Sequence, residues 1–388
     1  MSLPIIESGA TLGVLGGGQL GAMFATAARR MGYEVAVWDP DADAPAHRLA
    51  DYSLMKPFSD LSGNDDFLEH VRAVTYEWEN VPSELCEQLE RSVPVRPSSH
   101  ALRVIQDRIE QKTFLQRHGL AVPAFYGIST PEELTRQTLF RYPLICKTST
   151  AGYDGKGQWK LNRAEDCAAV QRDLIRAMRP GVRWILEEYL SFEREVSILV
   201  VRGADGAMRT YPVVENIHED GILRQSTVPA DVSATIAEQA AVLARQAVKA
   251  LDGVGVFCVE LFVMRDGRLL INEVAPRPHN SGHYSLDACT VSQFEQQVRA
   301  LCGQPLGEVR LLSAAVMLNL IGDEVALVTT SPAAQDLLRE PGAVLHLYGK
   351  RVTRSKRKMG HITFLASTCA EALAKATAFR SRYPLLHP

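Results

Sequence analysis

The chain lacks what would mark a membrane, secreted or nucleic-acid-coating protein. No apolar run approaches the roughly 20 residues needed to span a bilayer. Its seven cysteines include no Cys-x-x-Cys pair and no metal-type spacing, and no signal peptide precedes them. Reduced, buried thiols in a cytoplasmic protein are therefore expected. Neither sign of charge is in excess: 42 Lys and Arg face 45 Asp and Glu, and a net charge of −3 excludes a chain that coats nucleic acid or membrane as a whole. There is no internal repeat, no low-complexity tract and no Gly-Lys-Ser/Thr of a P-loop. What remains is an ordinary globular composition, 46% hydrophobic and 22% charged, with 388 residues to supply two or three domains.

The most informative stretch is Lys147-Thr-Ser-Thr-Ala-Gly-Tyr-Asp-Gly-Lys-Gly-Gln158. It follows the short apolar run Tyr142-Pro-Leu-Ile-Cys-Lys147 and returns to the strand-like Gln158-Trp-Lys-Leu161. Gly152, Gly155 and Gly157 let backbone N–H groups approach an anion, and Lys147 and Lys156 add point charges. Strand, loop and strand make a flap that can close over phosphates. A glycine-rich surface hairpin carries the same local signal.

The N-terminus points elsewhere. Thr11-Leu-Gly-Val-Leu15 reads as a strand, Gly16-Gly-Gly-Gln-Leu-Gly21 as a turn opening a helix, and Glu34-Val-Ala-Val-Trp38 as a second strand ending at Asp39. That is the dinucleotide fingerprint, and on this segment alone a nicotinamide dehydrogenase is a live reading. Ala73-Val-Thr-Tyr-Glu-Trp-Glu-Asn-Val81 follows as a strand running into a loop with Glu77 and Glu79. Absent other evidence that loop is a solvated one. Val93-Pro-Val-Arg-Pro97 ends a first domain near residue 100.

One helix is predicted from Ser99 to His118, carrying Asp107, Arg108 and Lys112, and Thr130-Pro-Glu-Glu133 is a capping box that starts another. Two strands, Trp184–Leu190 and Arg194–Val201, concentrate Glu187, Glu188, Glu193 and Glu195 at their junction. Carboxylates there suit ribose hydroxyls, and the backbone of 187–190 suits an adenine edge.

The strongest constellation is a hairpin. Val254–Met264 and Arg268–Val274 flank Asp266-Gly267, a two-residue turn signal. With those two residues at the centre of the turn, Met264 faces Leu269, Phe262 faces Ile271 and Glu260 faces Glu273. The last pair sets two carboxylates with Cβ atoms about 4.5–5.5 Å apart, which is destabilising unless a cation binds. Oxygen ligands of this kind suit Mg²⁺ carrying nucleotide phosphates, with Asn272 completing the set.

Together the loop Gly152–Gln158, Glu187-Glu-Tyr-Leu190 with Glu195, and Glu260 with Asn272-Glu273 resemble the ATP-grasp fold. Gly16–Gly21, Thr75-Tyr-Glu-Trp-Glu-Asn-Val-Pro82 and Ala275-Pro-Arg-Pro-His-Asn-Ser-Gly-His-Tyr284 narrow the resemblance to the N5-carboxyaminoimidazole ribonucleotide synthetase family, from about residue 11 to about residue 365. The fold implied is α/β: a Rossmann-like pre-ATP-grasp domain (1–100), an ATP-grasp domain (101–305, flap about 120–190) and a small C-terminal domain (306–388).

The activity implied is ATP- and bicarbonate-dependent carboxylation of 5-aminoimidazole ribonucleotide through carboxyphosphate, by a cytoplasmic homodimer using ATP and Mg²⁺ or Mn²⁺. By the resemblance, Arg108, Lys147, Gly152, Tyr153, Asp154, Gly155, Lys156, Gly157 and Gln158 contact ATP, with Glu187, Glu188, Tyr189 and Leu190 at adenine. Glu195 takes the ribose, His218 lies near the nucleotide, and Asn272 and Glu273 join them, with Glu260 and Glu273 on the metal. Arg277, Lys156, Asp154 and Tyr153 are the expected catalytic residues: Arg277 toward bicarbonate or carboxyphosphate, Tyr153 and Asp154 toward the aminoimidazole. Gly18, Gln19, Leu20, Glu79, Asn280, Lys350 and Arg357 are the expected ribonucleotide ligands. His279 and His283 read as hydrogen-bonding residues before proton carriers.

Lys350–Lys358 holds six basic residues in nine, a solvated turn or a nucleic-acid patch by composition and the substrate-phosphate site by resemblance. No aromatic residues interleave it, so no nucleic-acid or membrane partner is expected. Another ATP-grasp ligase, such as a formate-dependent glycinamide ribonucleotide transformylase, is the alternative on the same scaffold. A non-catalytic nucleotide-binding regulator is the alternative of a different class.

Overall fold

Four parallel strands form the first sheet of the computed structural model, in the order Tyr52–Leu54, Glu34–Trp38, Thr11–Leu15, Ala73–Tyr76. The described residues are 5–136, 141–150, 157–177, 182–330 and 332–383. The strands are short apolar runs because both faces are covered. On one face the helix Gln19–Arg30 buries Phe24, Ala25 and Ala28 together with Phe294, Val298 and Leu301 of the much later helix Gln293–Cys302. Trp38, Phe67, Tyr76 and Leu85 fill the other. The N-terminal unit is thus sealed by a helix from the last third of the chain.

The second sheet has four antiparallel strands, in the order Phe125–Ile128, Trp184–Glu188, Leu144–Thr148, Gln158–Leu161. It includes the flap hairpin read from the sequence, with Lys147 opposite Gln158 and the Thr148 N–H donating to Gly157 O at 2.9 Å. Gly157 has φ +69°, and a Cβ there would lie 2.8 Å from Thr148 Oγ1, so the hairpin needs glycine. Gly152, Tyr153, Asp154, Gly155 and Lys156 lie outside the described residues. The helix Pro131–Arg136 starts at the expected box, Glu133 reaching back to Ser129 N at 3.2 Å and to Thr130 Oγ1 at 3.3 Å.

The third sheet is antiparallel and continuous across residue 305. Leu269–Ala275, Gly255–Met264, Phe192–Arg202, Val214–Glu219 and Ile222–Val228 are followed by Ala314–Ile321, Lys358–Ala366 and Ala343–Leu347. The C-terminal unit extends the central sheet through its backbone ladder.

Two expectations need correction. The single helix from Ser99 to His118 is two, Ser99–Gln106 and Arg108–Arg117. Asp107 stands between them in extended conformation (φ −110°, ψ 118°), and its carboxylate accepts from Ile109 N at 2.8 Å and Glu110 N at 3.3 Å. An aspartate offers a better cap than a helix interior, so the chain restarts there.

The hairpin turn is also longer than two residues. Met264 pairs with Arg268 through the backbone, Gly267 takes φ +81°, and Val263 faces Leu269, Phe262 faces Leu270 and Leu261 faces Ile271. That register is one residue off the expected one. A bulge between Glu260 and Leu261 absorbs Asn272 as an extra residue and restores the expected Glu260–Glu273 pair. It also breaks the alternation that would send Asn272 and Glu273 to opposite faces.

Candidate active site

Glu260 and Glu273 oppose each other at the end of the central hairpin, and each faces a cation. Arg108, first residue of its helix because Asp107 ends the one before, donates Nη1 to Glu273 Oε2. His279 Nε2 lies 3.1 Å from Glu260 Oε1. Burial alone would raise the Glu260 pKa, but the His279 hydrogen bond and charge, with His218 and Arg108 behind them, hold it well below the usual carboxylate range. His279 is raised: burial opposes the imidazolium, and the Cys258 sulfur and Glu260 carboxylate outweigh it. Its Nδ1 sits 2.9 Å from Ser281 Oγ, which continues through Ser197, Asn216 and Ser226 as a buried polar chain.

Beside this pair lies a triad. Glu187 places one carboxylate oxygen 2.9 Å from Lys112 Nζ and the other 2.6 Å from Lys147 Nζ. Burial would raise the Glu187 pKa, yet the two ammoniums hold it well below the usual carboxylate range. Burial and the neighbouring Lys147 and Arg108 push Lys112 down, against the attraction of Glu187. The Glu187 side chain is thus committed to the lysines, and Lys112 also donates to Asn272 O at 2.8 Å. Glu188 N–H and Tyr189 N–H are taken by Ala124 O and Pro143 O, whereas Leu190 N–H meets no partner among the described residues. Glu195 Oε2 accepts from His218 Nδ1 at 2.9 Å; burial opposes charge on His218, but Glu195 raises it.

Two candidates separated by 198 residues meet directly: Arg277 Nε donates to Glu79 Oε2. Burial would raise Glu79, but the Arg277 charge lowers it, and Arg277 is raised in turn. Asn280 is held differently from expectation. Its amide forms a reciprocal pair with Asn319, at 3.0 and 2.5 Å, and turns into the interior. His283 is fully buried and lowered by desolvation, with Nδ1 near Gln293 Nε2 at 3.2 Å, the hydrogen-bonding role its residue type suggests.

At the N-terminal turn the Gly18 N–H is already satisfied. Glu77 Oε1 accepts from Gly18 N at 2.5 Å and Oε2 from Gly21 N at 2.7 Å, while Asp39 Oδ2 accepts from Gly17 N at 2.6 Å. The backbone N–H groups of Gln19 and Leu20 donate to none of the described residues. The C-terminal loop reaches the N-terminal unit beside this turn, where Arg351 pairs with Asp43 at 2.7 Å. Lys350 Nζ donates to Lys358 O at 2.8 Å, and Arg357 Nη1 to Val352 O at 2.9 Å within its own loop.

Sequence reasoning left Lys112, Asp107 and Glu77 without roles. Lys112 had a signal, since it lies four residues beyond Arg108 on the same helix. Glu77 had one in its place at the C-terminal end of a parallel strand. Among the described residues, Asp287, His346 and His361 bring metal-ligand atoms within 4.8 Å of one another. The His346 and His361 rings stack at 4.4 Å and 14°, however, so their in-plane lone pairs run parallel and do not converge on one ion.

Comparison with known proteins follows the same three-part division. Residues 9–106 match the ribonucleotide synthetase preATP-grasp domain, 113–294 the ATP-grasp domain and 315–375 the phosphoribosylaminoimidazole carboxylase C-terminal domain. The chain is 42% identical over 366 residues to the N5-carboxyaminoimidazole ribonucleotide synthase of Bacillus subtilis, covering 94% of each. It is 41% identical over 359 residues to that of Brucella melitensis, covering 92% of this chain and 97% of the relative. An ADP complex of N5-carboxyaminoimidazole ribonucleotide synthetase superposes with TM-score 0.91 at 39% identity, over 97% of this chain and 98% of the other. The Aspergillus clavatus synthase in complex with ADP and 5-aminoimidazole ribonucleotide gives 0.87 at 33%, over 96% and 98%.

Proposed function

Because the chain belongs to the N5-carboxyaminoimidazole ribonucleotide synthase family of ATP-grasp ligases, we propose here how its side chains divide the work of that reaction. The reaction is the ATP-dependent carboxylation of 5-aminoimidazole ribonucleotide in purine biosynthesis. Phosphoryl transfer from ATP to bicarbonate gives carboxyphosphate and ADP. The carboxyl carbon then passes to the exocyclic amine, and phosphate leaves.

The observation that carries the assignment of roles is the Glu260–Glu273 pair, opposed across the bulged hairpin with a cation against each member. Two oxygen donors with Asn272 beside them fit a small divalent cation, Mg²⁺ or Mn²⁺. Glu260 and Glu273 would hold that ion, which would offset charge on the transferring phosphoryl group. Arg108 and Lys147 bind the phosphates, each already oriented by a carboxylate that holds its charge in place. Gly152–Gln158 cover them and keep water from carboxyphosphate, Lys156 adding charge.

Adenine is read by the backbone of Glu187–Leu190, with the free Leu190 N–H as donor, and Glu195 takes the ribose, held by His218. Arg277 binds bicarbonate and then carboxyphosphate, with Glu79 fixing the guanidinium from across the N-terminal domain. Tyr153 and Asp154 orient the aminoimidazole ring. The Gln19 and Leu20 N–H groups, Lys350 and Arg357 hold the ribonucleotide phosphate, while Gly18 and Asn280 shape that site through their backbone and packing. His279, charged and bonded to Glu260, carries a positive charge at the edge of the reacting centre. A cytoplasmic homodimer completes the reading, and light scattering that returns the mass of a single chain overturns that part of it.

Purified protein with Mg-ATP and bicarbonate should release ADP only when 5-aminoimidazole ribonucleotide is added. Release driven by formate and glycinamide ribonucleotide, or by neither substrate pair, overturns the reading.

A further inference from the structure

The glycine-rich turn carries a dinucleotide fingerprint, but protein atoms occupy the positions those glycines usually clear for a ligand. A Cβ on Gly16 would lie 2.5 Å from Glu77 Cγ, and one on Gly18 would clash with Glu77 Oε1. One on Gly17 would lie 2.9 Å from Ala44 Cβ, and one on Gly21 would clash with Gly16 O. Glu77 follows the strand Ala73–Tyr76, its N–H continuing the ladder to Leu15 O at 3.0 Å, so its side chain projects over the turn from a fixed backbone. Its two oxygens take the Gly18 and Gly21 N–H groups at 2.5 and 2.7 Å, the donors a pyrophosphate would use in a dinucleotide fold.

We propose that Glu77 is a positioning and specificity residue that fills the diphosphate half of this turn, so that the site accepts one phosphoryl group and rejects a diphosphate. The inference rests on the reading above that Gln19, Leu20 and Lys350 hold the substrate phosphate. With Gly18 and Gly21 occupied, Gln19 and Leu20 are the donors left among the described residues at the start of the helix, and the loop that bears Lys350 is tied to the N-terminal unit by the Arg351–Asp43 pair. Two effects follow. The carboxylate pins the helix start against the sheet and so fixes the two free donors. It also fills the volume a second phosphoryl group would need, so a ribonucleoside monophosphate binds and a dinucleotide does not. The resemblance of this segment to a nicotinamide site is accounted for: the glycines admit an internal carboxylate.

The test compares wild type, Glu77→Gln and Glu77→Ala by ADP release at saturating Mg-ATP and bicarbonate, varying 5-aminoimidazole ribonucleotide, with ADP-ribose as the diphosphate probe. Wild-type release that ignores the aminoimidazole substrate removes the underlying reading before the inference is reached. Given that dependence, wild type should be insensitive to ADP-ribose. Glu77→Ala should show KM for the ribonucleotide raised about tenfold or more, the loss expected for charge-assisted hydrogen bonds, with KM for ATP unchanged. ADP-ribose should inhibit it competitively against the ribonucleotide. Glu77→Gln keeps the volume but turns an N–H toward a backbone donor, so it should raise the same KM while still rejecting ADP-ribose. A folded Glu77→Ala with wild-type KM and no response to ADP-ribose overturns the proposal. Should Glu77→Ala fail to fold, an unchanged KM in Glu77→Gln overturns it and a selective rise supports it.

Discussion

At the scale of single residues, two carboxylates of the site make opposite predictions. Glu273 is one-third exposed and meets Arg108, so Glu273→Ala should leave the fold intact. It should lower ADP release by about a hundredfold or more, because on the proposed assignment phosphoryl transfer loses a metal ligand and the orientation of Arg108. Unaltered circular dichroism with near-normal turnover would refute the metal assignment. Glu187 is 5% exposed between two lysines, and Glu187→Gln leaves those ammoniums buried without their counter-charge. Losing one partner of such a set costs about 3–5 kcal/mol, so a large drop in the urea midpoint is expected. A midpoint within error of wild type would show that the lysines find water instead.

Among the secondary elements, the break at Asp107 matters more than the helices it separates. Its carboxylate caps the helix Arg108–Arg117 and also receives Arg183 Nη2 at 2.8 Å, while Arg108 N–H donates to Ser149 O at 2.8 Å. The cap therefore ties the start of this helix to the flap hairpin and aims Arg108 at Glu273. Asp107→Ala should cost about 1–2 kcal/mol in thermal or denaturant unfolding. It should also raise KM for ATP about tenfold, a shift of roughly 1.4 kcal/mol in binding. Asp107→Asn retains a cap acceptor and should recover most of the stability. Equal loss in both variants would mean that the Arg183 ion pair, not the cap, holds the junction.

Across the molecule, the C-terminal hairpin meets the 279–289 loop through histidines. His283 and His361 are both fully buried, their rings 4.9 Å apart, and desolvation pushes both well below the ordinary histidine value. Near neutral pH both states leave them uncharged and they add no slope. As pH falls below about 6.5, the unfolded chain takes up protons that the folded one refuses, so stability declines by about 1.4 kcal/mol per pH unit for each histidine. Melting temperature should fall steadily from about pH 6.5 to about pH 5. A level profile would mean that these rings gain water or a counter-charge on folding.

The local content of this molecule was legible in its sequence: the parallel N-terminal strands, the flap hairpin, the capping box at Thr130, and the Glu260–Glu273 pair. Alternation, glycine placement and caps act over a few residues, and chain order alone exposes them. Even there, the pair was reached through a two-residue turn that does not exist, because a bulge cancels the one-residue error. The family motifs were equally legible, since a stretch such as Ala275–Tyr284 keeps its order whatever it touches. Tertiary structure alone decided which groups meet. Arg108 reaches Glu273 across 165 residues and Arg277 reaches Glu79 across 198, and the sheets and the helix Gln293–Cys302 set those distances. It also decided that Glu77 fills the glycine turn, that Asn280 turns inward to Asn319, and that Glu187 serves the lysines. Side-chain polarity states only that a partner is required; which partner is found depends on what the packed backbone brings within hydrogen-bond reach.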